Sequence, residues 1–196
     1  GKCRFINCSS YLLYVKDVFR GYEKMFNYLE SLQEFFSKDL NGLSLMIPDL
    51  FGTSPRMRWD TMINNMYLTA ITQKAIFLDE TCFTVVPIMN VVECAKIIKK
   101  IIFSEETGNN FASDLISPAE AAYAIRAANK EDIEIHIPKA DFYKISCREF
   151  DSFKIFKTKF DVINSFEFLV KQLEKGMLPD FLNDKYNNMS IINSLV

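Results

Sequence analysis

From Phe51 to Met66 the chain reads FGTSPRMRWDTMINNM, which places two guanidinium groups, Arg56 and Arg58, and two adjacent carboxamides, Asn64 and Asn65, behind a glycine. These groups offer hydrogen bonds and positive charge, and none is a nucleophile. Taken alone, such residues dock the first turn of a helix, pair with acids or fill polar positions on a helix face. Ser10 ends the apolar run RFINCSS, where a hydroxyl forms a turn or a strand end. Lys24 lies in an amphipathic stretch and reads by itself as a solvated cation. His136, the single histidine, stands beside Glu134 in an alternating segment and reads as a surface residue, while Trp59 reads as packed. The five cysteines are odd in number, widely spaced and without a CxxC pair, so they indicate neither a disulfide framework nor a zinc site. They point to a reducing compartment, the cytoplasm.

The elements that must position these groups follow from apolar periodicity. Residues 4–10 form a short apolar run suited to a buried strand. From Val18 to Phe36 apolar residues recur at three- and four-residue intervals, predicting a long helix with Lys24, Glu30 and Lys38 off its stripe. Residues 43–47 (LSLMI) give the next strand, and the order strand, helix, strand predicts a parallel pair with a right-handed crossover. Thr53-Ser54-Pro55 has helix-start chemistry, predicting a helix from there to about Lys74. Strands are expected at 76–79 and 83–89, the second at an edge or bend because of Pro87. Asn90 and Glu93 suggest the start of a helix through Phe103, and Ser117-Pro118-Ala119-Glu120 a capping box for a helix ending near Asn129. An alternating strand is expected at 133–137, an extended piece at 142–146, and a helix capped by Ser165 that ends at Gly176, with a tail after Pro179.

Composition sets the limits. The chain has 196 residues, of which 49% are hydrophobic, enough for a sizeable core in about one domain. A net charge of −2 gives no pull toward nucleic acid or anionic lipid. No apolar run approaches the roughly 18 residues that span a bilayer, and no secretory segment opens the chain.

In their order and spacing these segments resemble the NAD-dependent epimerase/dehydratase family, the extended short-chain dehydrogenase/reductases. Phe51-Gly52 is similar to the family's YG-type turn, and Asn64 and Asn65 to the paired asparagines that follow it. RFINCSSYLLY is similar to the strand that delivers a catalytic Ser/Thr, GYEKMFNYLESL to the helix of the YxxxK motif, VVPIMNVVECAKII to the RPFVHVxDVAxAI stretch, and FEFLVKQLEKGMLPD with Tyr186-Asn187 to the C-terminal helix and tail. The resemblance implies the C-terminal part of a Rossmann-like parallel sheet, with residues 1–75 its last strands and helices, and residues 76–196 a smaller α/β substrate-binding lobe interleaved with it.

It also implies roles. Ser10 would orient the substrate and Lys24 would be the lysine that lowers a tyrosine's pKa and binds ribose, while Asn64, Asn65, Arg56 and Arg58 would bind a nucleotide sugar. The match is eroded where proton transfer is concerned. The tyrosine position four before Lys24 is Arg20, and an arginine stays protonated and cannot act as the base. Val86 and Asp141-Phe142 stand where the family carries phosphate-clamping arginines, and Asn90 and Glu93 replace the His and Asp of HVxD. NAD(P) is implied by the resemblance only, because the fifty residues before Phe51 contain just Gly1, Gly21 and Gly42 and no glycine-rich loop.

Two functional classes remain, and the losses at Arg20, Val86 and Phe142 favour the non-catalytic one. In one the chain is a degenerate, non-catalytic scaffold or partner subunit. In the other it is the substrate-binding half of an NAD(P)-dependent sugar-nucleotide epimerase, dehydratase or reductase. Parallel strands need cover on both faces and paired edges, so the expectation is another protein chain, self-association or upstream residues to complete the sheet.

Overall fold

The structure, a computed structural model, describes residues 5–18, 23–39, 42–104, 110–129, 132–139 and 148–176. Arg20, the expected extended piece at 142–146 and the tail after Pro179 lie outside them.

The first unit is the predicted one. Strand β1 (Ile6–Ser10) runs parallel to β2 (Leu43–Ile47), with Ile6 opposite Leu43 and Ser10 opposite Ile47. The crossover is more broken than the periodicity suggests. A 3-10 segment, Tyr11–Val18, precedes helix α1 (Glu23–Glu34), which ends in a π-helical turn, Phe35–Asp39. Phe26 of the apolar stripe is buried, whereas Met25, Tyr28 and Phe35 are exposed.

Pro48 separates β2 from a short strand, β3 (Asp49–Phe51), and the chain then turns through Gly52 into helix α2 (Met62–Gln73). The predicted helix start at Thr53-Ser54-Pro55 is therefore seven or more residues early. Residues 53–60 form a loop because Met57 and Trp59 are drawn into the core and the carbonyl of Arg58 is held by a side chain of α2. Trp59 is packed, as expected.

Strand β4 (Ala75–Phe77) pairs in parallel with β8 (Glu134–His136), and β5 (Val86–Asn90) lies between β3, parallel, and β7 (Asp114–Ile116), antiparallel. Pro87 sits in a middle strand, contrary to the edge expectation. It is tolerated because β3 pairs only with Ile88 to Asn90, leaving Pro87 with a neighbour on one side. Short strands β6 (Phe111–Ala112) and β9 (Lys154–Ile155) form a further parallel pair, and Met46 bridges to Asn110.

Helix α3 (Val91–Ile102) starts at its expected cap: the Val92 N–H donates to Asn90 Oδ1 at 2.9 Å. Helix α4 (Pro118–Ala128) carries the full capping box, Glu120 N–H to Ser117 Oγ at 3.3 Å and Ser117 N–H to Glu120 Oε2 at 2.8 Å. Helix α5 (Val162–Glu174) is capped by Asp161, four residues before the predicted Ser165, through Asn164 N–H at 2.7 Å. Ser165 instead lies inside the first turn and is buried. Gly176 follows with φ +62°, the left-handed residue expected there.

The largest core joins α2, α4 and α5 through Ile63, Tyr67, Ala70, Ala121, Ala122, Ile125, Phe166 and Leu169. The Tyr67 ring lies tilted against Phe166, centroids 5.3 Å apart, and its hydroxyl donates to the Val162 carbonyl at 2.7 Å, pinning α2 to the start of α5. Among the described residues no helix is long and apolar enough to cross a membrane.

Tyr67→Phe deletes the donor and leaves the Val162 carbonyl only its bond within the helix. It is expected to lower stability by about 1–2 kcal/mol, read as a lower urea midpoint with an unchanged slope.

Candidate functional site

A sharp turn builds the site. Gly52 adopts φ +94°, a conformation that disfavours side chains, and a Cβ there would fall 2.3 Å from Asn90 Nδ2. The Gly52 N–H donates to Asn64 Oδ1 at 2.9 Å, and Asn64 Nδ2 donates to the Arg58 carbonyl at 2.8 Å. One buried amide thus ties both ends of the 52–58 loop to α2. Asn90 closes the other side, donating from Nδ2 to Ser165 Oγ at 2.9 Å. This explains why Ser165 is buried inside α5 and unavailable as a cap.

The loop, the carboxyl ends of β1 and β2, and β3 enclose a cavity of about 520 Å³, within the range of ligand pockets. Its position outside the carboxyl ends of parallel strands is where open α/β sheets bind ligands. Ser10, Arg56, Arg58 and Asn64 all line it, brought together from β1, the loop and α2. Ser10 Oγ already accepts the Leu12 N–H at 3.2 Å. Arg58 is committed to Asp60 by a two-pronged contact, Nε to Oδ1 at 3.0 Å and NH2 to Oδ2 at 2.9 Å. Arg56 is exposed and makes no ion pair among the described residues. Asn65 is exposed on α2, and Lys24 is exposed on α1; neither lines the cavity. His136 is at the surface, its Nε2 3.2 Å from Glu134 and its ring stacked on Phe77.

Sequence reasoning passed over Ser9, Tyr11, Asp49 and Thr61, which line the same space. Ser9 Oγ and Asp49 Oδ2 are buried without a hydrogen-bond partner among the described residues. Burial pushes the Asp49 carboxyl up to about 7, against the opposing pull of Arg58. Burial, and secondarily the proximity of Asp49, pushes the Tyr11 phenol well above its ordinary range. A tyrosine so placed cannot supply a phenolate at neutral pH, so Tyr11 is no substitute for a YxxxK base. The signal for Asp49 was present in LSLMIPDLFG: a lone carboxylate embedded in an apolar run next to a turn. Ser9 and Ser10 are adjacent on β1, so their side chains leave opposite faces of the strand, and the sequence reading singles out Ser10 alone. No cluster of potential metal ligands occurs among the described residues.

No protein-family model matches the sequence, and no curated protein matches it. Solved structures do match in fold. The dTDP-glucose 4,6-dehydratase of Bacillus anthracis str. Ames, in complex with NAD, is 15% identical with a TM-score of 0.59, over 95% of this chain and 64% of that one. The UDP-glucuronic acid 4-epimerase of Bacillus cereus, in complex with UDP-glucuronic acid and NAD, is 12% identical with a TM-score of 0.60, over 87% and 62%. The L-threonine 3-dehydrogenase of Trypanosoma brucei is 16% identical with a TM-score of 0.53, over 79% and 53%. The chain is a mixed α/β structure with mostly parallel pairing that shares the Rossmann-like fold of NAD-dependent epimerases and dehydratases, and it spans less than two thirds of their length.

Two outcomes test the site's construction. Gly52→Ala forces a Cβ onto Asn90 in a strained conformation and is expected to cost at least about 2 kcal/mol, measured by thermal or urea unfolding. Asp49 gives a pH signature. Its pKa is raised in the fold, so its contribution to stability is complete below about pH 4, where the unfolded chain also holds the proton, and is lost as pH rises through about 7. Asp49→Asn removes this loss and is expected to gain on the order of 3 kcal/mol over the parent by pH 8, with the difference growing from pH 4 upward. Urea midpoints of both proteins across that range check it, and a constant difference would mean that Asp49 ionises freely.

Proposed function

We propose that the chain holds a nucleotide sugar in the 520 Å³ cavity, as the substrate-binding part of an NAD(P)-dependent sugar-nucleotide epimerase, dehydratase or reductase. The observation that carries this reading is the convergence of Ser10, Arg56, Arg58 and Asn64 on one cavity at the carboxyl ends of β1 and β2. The fold relatives that act on UDP- and dTDP-sugars support it. In this arrangement Arg56 meets the diphosphate with paired, charge-assisted hydrogen bonds. Arg58 contributes positive potential while remaining on Asp60, and Asn64 keeps the loop in place. Ser10 faces the sugar. Residues 1–75 and 76–196 then act as sheet portion and substrate lobe, and among the described residues the second portion reaches the cavity only through Val91.

The dinucleotide does not fit the residues described. Their glycines are Gly42, Gly52 and Gly176, none of them in a glycine-rich turn between a strand and a helix, so no cradle for its pyrophosphate is at hand. No chemical step is therefore derived through it. NAD(P), which the resemblance implies, a further protein chain that completes the sheet, and the cytoplasmic setting that the cysteines suggest all belong to the proposal.

A second reading, a non-catalytic scaffold or partner subunit, is favoured by one specific observation: the base position is Arg20 in sequence, and the tyrosine inside the cavity, Tyr11, is held protonated. The two readings separate on turnover. Titration calorimetry with UDP-glucose, UDP-glucuronic acid and dTDP-glucose is expected to give saturable binding by the chain alone. Arg56→Ala should weaken it about tenfold or more, the loss of a charge-assisted hydrogen bond, while Asn65→Ala, outside the cavity, should leave it unchanged. Binding with no conversion when NAD+ or NADP+ is added favours the partner-subunit reading. Conversion favours the enzyme, and no binding by any of the three sugars overturns the proposal.

A further inference from the structure

A small net charge hides an uneven distribution. Residues 154–160 read KIFKTKF, three lysines and no acid in a chain whose net charge is −2. The flanking carboxylates are Asp151 and Asp161, and the second is engaged in capping α5, accepting from both the N–H and the side-chain amide of Asn164. Lys157 and Lys159 are exposed and make no ion pair among the described residues.

This basic stretch begins in an edge strand. Among the described residues β9 (Lys154–Ile155) pairs with β6 and with no other strand. The N–H groups of Lys154 and Phe156 donate to the carbonyls of Asn110 and Ala112 at 3.1 and 2.9 Å. Successive residues of a strand turn their backbone groups to opposite sides, so the N–H and C=O of Ile155 point away from β6. Ile155 is 50% exposed, and the edge is open there. Such an edge is a template for a further strand. At the far end of the stretch Phe160 packs against Phe168 of α5, ring centroids 5.9 Å apart, and Phe168 is 40% exposed, an apolar contact beside the lysines.

Charge selects the occupant. Lysines beside an edge repel a second copy of the same strand, which guards against self-pairing, and they attract an acidic one. Nucleic acid fits less well, because the lysines already cover the rings on which bases would stack: Lys154 Nζ lies 5.0 Å from the Phe156 centroid and Lys159 Nζ 5.6 Å from that of Phe160. An anionic bilayer would meet the lysines and leave the outward N–H and C=O of Ile155 without a main-chain partner.

We propose that the open edge of β9, with Lys157 and Lys159 beside it, is a docking surface for an extended acidic segment of another protein, which adds as a strand along Ile155. This edge is distinct from that of β1, and the proposal does not depend on what the cavity holds.

The probe is a capped, fluorescently labelled peptide of alternating glutamate and valine, titrated with the full chain at low salt and followed by anisotropy. Saturable binding is expected, weakened about tenfold or more by Lys157→Glu together with Lys159→Glu, and weakened again in the parent by about 0.3 M salt. Ile155→Pro separates strand pairing from plain attraction. It removes the outward donor and leaves both N–H bonds to β6, a position at which an edge tolerates proline, and it is expected to abolish binding with the lysines intact. A fully N-methylated probe keeps its charge without its donors and is expected not to bind the parent, a comparison that stands even where Ile155→Pro unfolds the chain. Failure of the acidic probe to bind, equal binding of the N-methylated one, or capture by phosphatidylserine vesicles with none by the peptide each overturns strand addition. None of these results touches the nucleotide-sugar reading.

Discussion

The Asn64 side chain, buried in α2, spends its carbonyl on the N–H of Gly52 and its amide on the carbonyl of Arg58. Much of the site's form depends on this one group. The loop between β3 and α2 must leave the sheet, bring two arginines to the cavity and return in time to send Met57 and Trp59 into the core. A loop of that length has no ladder of its own to satisfy its backbone, and buried backbone groups without partners are costly. Asn64 satisfies one donor and one acceptor at once. It works only because Gly52 accepts φ +94° and because, lacking a Cβ, it lets Asn90 pack against it. Asn90 is simultaneously the cap of α3 and the donor to Ser165 of α5. The turn, two helix starts and the cavity wall are therefore one hydrogen-bonded unit.

That unit divides the cavity electrostatically. The loop carries its cations outward, where solvent screens them and a dianionic ligand can reach them. The strand ends, dry on the sheet side, carry Asp49 and Ser9, and a carboxylate there cannot stay ionised at no cost, because the desolvation that accompanies burial exceeds the pull of a single guanidinium already shared with Asp60. The acid keeps its proton to about neutrality and the adjacent phenol keeps its proton throughout. A cavity of this kind is suited to holding a ligand with an anionic end and a neutral polar end.

Local rules made the outer elements legible. The capping box at Ser117, the Asn90 cap and the left-handed Gly176 are each written in a few adjacent residues, the parallel pairing of residues 6–10 with 43–47 in the order strand, helix, strand, and each stands in the structure. What sequence misplaced are the points at which a distant partner overrides a good local signal. Thr53-Ser54-Pro55 is sound start chemistry, yet Asn64 holds the loop open until Thr61, whose hydroxyl turns back to the Arg58 carbonyl at 3.4 Å instead of capping the helix. Ser165 is a sound cap, yet Asn90 claims its oxygen and Asp161 caps in its place. The candidate site was legible in Ser10, Arg56, Arg58 and Asn64. Asp49 and Ser9 were not, because their importance lies in lacking a partner, which no local pattern records.

The same geometry constrains any chemistry. A phenolate base requires a cation close to the phenol, and Tyr11, the single aromatic hydroxyl in the cavity lining among the described residues, has a carboxyl near it instead. The nearest guanidinium, Arg58, is drawn to Asp60 and acts on Asp49 before it can act on Tyr11. Lys24 lies on the solvent side of α1 and does not line the cavity. To restore a tyrosinate at Tyr11, the acid and the cation would have to exchange places, which would also reverse the polarity of the cavity. Within this lining, arginines at the mouth with an acid behind them and a tyrosinate at Tyr11 call for opposite charge arrangements, and the residues present make the first.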